Sequence, residues 1–165
     1  MALACVASSA QTSKSDLEEV KASAEESGRA FMSGDFATLA DYTYPKIVQK
    51  AGGRAKMIAF LEAGKKQMES EGFEPLSYTV GEPKEIVRVG IKLFAIVPMT
   101  LKAKYRGGVL TQRSYMLGVS AERVRVWTFI DGSSLDESKL RALVPEAVGR
   151  IKLPNQEAPT FERTP

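Results

Sequence analysis

Arg113 and Tyr115 stand two apart in a run of β-favouring residues, so their side chains share one strand face with Thr111 and Leu117. A sheltered guanidinium beside a phenol would bind an anionic ligand through a bidentate contact. The plainer use of Arg113 is a solvated strand position or a pair with a neighbouring carboxylate. Trp127 and Phe129 share a face in the same way, as do Arg125 and Asp131. Trp127 could stand at the mouth of a pocket, although large aromatics more often serve packing. With Tyr42 from an upstream helix, the candidate ligand-binding residues are Arg113, Tyr115, Trp127, Asp131 and Tyr42. No catalytic residue, metal ligand or cofactor is assigned.

Two carboxylates and one glycine pair complete the reactive inventory. Asp35 and Asp41 flank a short helical stretch. A carboxylate walled by apolar groups would gain the raised pKa of an acid catalyst. Asp35 after Gly34 is more simply a helix N-cap, and Asp41 more simply exposed. Gly52-Gly53-Arg54 opens a helix whose N-terminus could receive an anion, but it lacks the Lys-Ser/Thr of a phosphate loop.

The chain contains no histidine and one cysteine, Cys5. The usual general base and the commonest zinc ligand are therefore missing. Neither an intrachain disulfide nor a cysteine-cluster metal site can form. Net charge is +3, with 26% charged residues of interspersed sign. Lys46, Lys50, Lys56, Lys65 and Lys66 are offset by Glu62, Glu69 and Glu71, as on a solvated face. No Lys/Arg stripe alternates with aromatics, so nothing points to nucleic acid, and no apolar run reaches transmembrane length.

The elements that must hold these side chains follow from periodicity. Three β-rich runs, Leu93 to Tyr105, Val109 to Val119 and Val124 to Ile130, are separated by Arg106-Gly107-Gly108 and by residues 120–123. Short breaks between such runs predict an antiparallel meander. Pro98 inside the first run predicts an edge or a bulge. Upstream, Leu76 to Val80 and Glu85 to Val89 are shorter strand candidates. Ser15-x-x-Glu18 reads as a capping box for a first helix through Leu17, Val20, Ala24 and Phe31. A second carries Phe36, Leu39 and Tyr42 and ends near Pro45. A third, from Arg54 to Glu71, presents Met57, Ile58, Leu61 and Met68. Gly64 costs that helix about 1 kcal/mol against Ala, which close approach to a sheet would explain. Ser134-x-x-Glu137 reads as the cap of a last short helix through Leu140 and Leu143.

Residues 15–150 form the expected domain, and residues 151–165 an extended or disordered arm. Residues 1–14 read as the remnant of a signal peptide or as a disordered N-terminus. Ser8-Ser9-Ala10 fits a small-residue cleavage site, and Ala2-Leu3-Ala4-Cys5 loosely fits a lipobox. A periplasmic or secreted protein, or a lipoprotein, is expected; a cytoplasmic one is the alternative.

Helices followed by antiparallel strands predict an α+β fold. Wrapping a curved sheet around three N-terminal helices, with the long third helix as its axle, would bury both apolar surfaces and leave a cone. The expected core is Met57, Ile58, Leu61, Leu117 and Trp127.

From Asp16 to Asp131 the chain resembles the nuclear transport factor 2-like superfamily, also called SnoaL-like or ketosteroid isomerase-like. The resemblance rests on Phe31-x-x-Gly34-Asp35-Phe36, the Arg54 to Glu71 helix, and Trp127-x-Phe129-x-Asp131-Gly132. It implies a cystatin-like cone with a pocket. Its catalytic residues do not carry over. A scytalone dehydratase-like Asp–His pair needs a histidine, and no local motif matches the Asp and Tyr roles of ketosteroid isomerase. The expected function is a binding domain holding a small apolar or weakly anionic ligand, or a partner peptide, in the cone. The alternatives are an isomerase- or lyase-type enzyme using an Asp/Glu base and a Tyr donor, or an interaction module that forms a homodimer through the sheet.

Overall fold

A computed structural model describes residues 14–121 and 126–164. The proposed cleavage site, Cys5, Arg125 and residues 122–124 of the expected meander lie outside the described residues. The described chain is α+β, with a six-stranded antiparallel sheet that does not close on itself.

The sheet is built on one long hairpin. Strands β3 (Lys92–Tyr105) and β4 (Gly108–Ala121) pair without a break from Lys92↔Ala121 to Tyr105↔Gly108. Arg106 and Gly107 turn the chain with φ of 44° and 76°. Two left-handed residues make the primed turn that follows strand twist. Gly108, read as part of the break, is already strand. Outer strands cover each edge in two pieces. β1 (Glu74–Val80) and β2 (Val87–Val89) pair with β3; β5 (Thr128–Asp131) and β6 (Thr160–Arg163) pair with β4. Pro98 falls where β1 has ended and β2 has not begun, and its carbonyl accepts from Gly81 N at 2.8 Å. Its missing N–H therefore costs no ladder bond, as expected of an edge position. The C-terminal segment supplies β6.

Strand alternation makes the hairpin apolar on both faces. On one face, Ala95, Val97, Met116, Trp127 and Phe129 pack with Val20 and Ala24 of α1 (Lys14–Ser33). On the other, Phe94, Leu117, Val119 and Ile130 pack with Leu135, Leu140, Val144 and Ala147. The second set comes from α5 (Glu137–Leu143) and its flanks.

The helix against the sheet is α1, and two glycines allow its approach. A Cβ on Gly28 would lie 2.5 Å from the Tyr78 ring, and one on Gly118 would lie 3.2 Å from Val20, Trp127 and Phe129. The expected axle helix, α4 (Arg54–Ser70), instead stands outside, against α2 (Phe36–Tyr42) and α3 (Pro45–Lys50). Only its Met57 is buried; Ile58 and Leu61 are half-buried. Leu117 and Trp127, expected in one core, belong to opposite faces. Strand alternation separates them, because Leu117 neighbours Met116 in β4.

Local signals differ in detail. Asp35 caps α2 as expected, accepting from Thr38 N at 3.1 Å and Thr38 Oγ1 at 2.7 Å. Pro45 begins the additional helix α3, where a first-turn N–H has no intrahelical acceptor to lose. Ser15 lies inside α1 rather than at its cap. The cap of α5 is Asp136, not Ser134, and accepts from Lys139 N at 2.8 Å.

Candidate functional site

The half-buried side of α4 faces a cleft. Leu61, Gly64, Lys65 and Met68 recur at helical spacing and line one wall. Phe31 and Met32 from the end of α1, with Phe36 from α2, form the second. Phe73 just before β1, with Pro75 inside it, closes the end. The cleft encloses about 360 Å³, within the size range of small-molecule sites. Phe60 stands at its edge, 68% exposed. Polar groups are confined to Lys65, Gln67, Glu69 and Glu71. Lys65 Nζ lies 3.8 Å from Glu69, an exposed pair that leaves the ammonium accessible.

Gly64 opens onto this space. A Cβ there would meet nothing within 4 Å, so close approach to a sheet does not explain the glycine. Its lack of a side chain keeps the cleft wall open instead.

A second cleft of about 530 Å³ lies beside Pro98 on the opposite side of the sheet. Shallower hollows run along α1 and β1, and beside α5. Arg113, Tyr115, Trp127, Asp131 and Tyr42 line none of these four clefts.

The five residues do not converge. Arg113 is exposed, opposite Thr100, so it does not point into a sheltered site. Tyr115 shares its face but is buried among Phe94, Leu117 and Ile130, and its hydroxyl has no hydrogen-bond partner among the described residues. Burial, with the charge of Asp131, raises the Tyr115 pKa. Asp131 spends both carboxylate oxygens locally, accepting from Ser133 N at 2.9 Å and Ser133 Oγ at 2.8 Å. Trp127 is packed with α1 rather than open at a mouth. Tyr42 is half-buried, its ring centroid 6.4 Å from that of Phe129.

Neither upstream carboxylate has the character of an acid catalyst. Hydrogen bonds from Thr38 hold Asp35 below its ordinary pKa. The Arg54 guanidinium does the same to Asp41, through contacts of 2.6 and 2.9 Å. Arg54 is thereby paired with Asp41 at the start of α4, where an incoming anion would compete with that carboxylate. Tyr78 has its pKa raised by burial, with a smaller effect from Asp131, and its hydroxyl meets Met116 Sδ at 3.3 Å. Among the described residues no group of three or more His, Cys, Asp or Glu could hold a metal. No described helix is long and apolar enough to cross a membrane.

Phe31, Phe36, Leu61 and Met68 were legible as apolar helix positions, but not as the lining of an open space. The available signal was an excess of apolar residues on α4, where Phe60 adjoins Leu61. The sequence matches no family model, and it matches neither a curated protein nor a solved structure.

Proposed function

We propose that this chain is a non-enzymatic binding domain that holds a small apolar or weakly anionic molecule in the cleft between α1, α2 and α4. The carrying observation is an open space walled by Phe31, Met32, Phe36, Leu61, Met68 and Phe73. Apolar enclosure would supply affinity and Lys65 would orient an acidic group, the usual division of labour in such pockets. Methionine suits the role because it adapts to ligands of different shape.

The nuclear transport factor 2-like superfamily is the fold proposed for this domain. N-terminal helices beside a curved antiparallel sheet are compatible with it. In this reading the pocket is displaced from the centre of the cone, which α1 fills, towards α4. An isomerase or lyase would need a sheltered carboxylate base beside a Tyr donor, whereas Asp35 and Asp41 are exposed and engaged by Thr38 and Arg54. A homodimer through the sheet would have to use its edges or the half of the β3–β4 hairpin near its turn, because the chain itself covers both faces around residues 94–97 and 115–119.

The test uses the neutral dye N-phenyl-1-naphthylamine and the substitution Gly64→Leu. Leucine adds bulk where a Cβ meets open space, and it improves helix propensity by about 0.8 kcal/mol. The variant should fold at least as stably as wild type and lose most of the dye fluorescence enhancement. Equal enhancement in both proteins would remove this cleft as the site.

A further inference from the structure

We propose that the cleft beside Pro98 is a second, independent binding site for a free amphiphile: an apolar chain ending in one anionic group, such as a fatty carboxylate. Its floor is apolar. Phe94, Ile96 and Pro98 alternate along one face of β3, and Val87 of β2 adjoins them. Ile151 and Pro154 of the C-terminal segment form the opposite wall. The space of about 530 Å³ lies within the range of small-molecule sites.

Charge complementarity selects the occupant. Lys84, Arg150 and Lys152 come from two separate segments and meet at the rim of the same cleft. All three are exposed. None forms an ion pair among the described residues, whereas Lys21, Arg29, Arg54, Lys92 and Arg141 all do. Glu85 is the one acidic residue in the lining, leaving the rim with a formal excess of two positive charges from three cations and one carboxylate. A neutral ligand would leave that excess unanswered. A small hydrophilic anion would leave the apolar floor wet. A single chain with an anionic head satisfies both, laying its tail along Val87, Ile96 and Pro98 and its head between the lysines and Arg150. Arg150 offers the head a planar fork of N–H donors, which suits a carboxylate.

The gap in the sheet edge accounts for the position of the cleft. Between β1 and β2 the connecting arch of residues 81–86 belongs to no strand, although Gly81 N still donates to the Pro98 carbonyl. That arch carries Lys84 and Glu85, while the segment after α5 carries Arg150 and Lys152. Neither segment alone has both a floor and a rim.

The experiment measures octanoate binding by isothermal titration calorimetry, with octan-1-ol as the neutral analogue and acetate as the anion without a tail. Wild type should bind octanoate, bind octan-1-ol more weakly and not bind acetate. The variant Lys84→Glu/Arg150→Glu/Lys152→Glu should weaken octanoate by about tenfold, since each exposed ion pair contributes only a few-fold. Its octan-1-ol affinity should be unchanged. The substituted side chains are exposed, and an unaltered circular dichroism melt verifies the fold. Gly64→Leu should leave intact the octanoate binding that the triple variant weakens, which separates this site from the α4 cleft. Absent binding, equal affinity for octanoate and octan-1-ol, or an octanoate affinity unchanged in the triple variant would overturn the proposal. Loss of octanoate binding in Gly64→Leu would also overturn it, by placing the ligand in the α4 cleft.

Discussion

Gly28→Ala and Gly64→Ala are the same chemical change in two helix interiors, yet the structure gives them opposite signs. Helix propensity favours alanine over glycine by about 1 kcal/mol at both positions. At Gly64 the new methyl meets nothing within 4 Å, so that gain should appear nearly undiminished. At Gly28 the methyl would lie 2.5 Å from Tyr78 Cδ1 and 2.7 Å from Cε1, about 1 Å inside ordinary carbon–carbon contact. The ring has little freedom to retreat. Phe31 lies 6.0 Å away by ring centroids, and the Tyr78 hydroxyl meets Met116 Sδ. The overpacking cost should therefore sit near the top of its usual range, about 3 kcal/mol. Net destabilisation is then about 2 kcal/mol, or roughly 4–8 °C in Tm for a chain of this size. Urea unfolding of wild type, both single variants and Gly28→Ala in a Tyr78→Ala background measures each part. Removing the ring should turn Gly28→Ala from destabilising to stabilising. Equal shifts for Gly28→Ala and Gly64→Ala would refute the close approach of α1 to β1, and with it the assignment of α1 as the helix against the sheet.

Leu117 is fully buried, so Leu117→Ala should cost about 2–5 kcal/mol in urea unfolding. Half-buried Leu61 should cost only about 1 kcal/mol, and its variant should accept a bulkier neutral dye in the α4 cleft. Glu146 has its pKa lowered chiefly by the hydrogen bond from Lys92, so the stability it contributes is present above its ordinary value of 4.5 and is lost as pH falls through the lower folded value. Glu146→Gln should flatten that acid limb, seen as a smaller loss of Tm below pH 4.5 than in wild type. We also propose that the protein is exported: mass spectrometry of material from its native cell should find a chain beginning near Gln11 or at a lipidated Cys5, and an intact Met1 in a cytoplasmic fraction would contradict this.

The local elements were legible because their signals are local. Alternation through Leu93–Tyr105 and Val109–Val119, with Arg106-Gly107 between them, is enough for a hairpin, since strand period and turn chemistry involve only neighbouring residues. Asp35 was legible as a cap for the same reason: its acceptor and the Thr38 N–H are three residues apart. The order of helices and strands likewise gave the α+β class.

Tertiary structure decided which surfaces those elements cover. Both α1 and α4 carry apolar positions at helical spacing, and spacing does not name a partner. The choice depended on shape, because Gly28 and Gly118 let α1 lie close to the sheet, whereas α4 has no comparable contact and keeps an open cleft. Alternation placed Arg113 and Tyr115 on one face, but the covering segments enclose Tyr115 and leave Arg113 in solvent. Asp131 could be assigned to a strand face, yet the turn that follows claimed its carboxylate. The chain's own sequence determined periods, turns and caps, which act over a few residues. Burial and clefts required the fold, because each depends on side chains far apart in sequence competing for the same space.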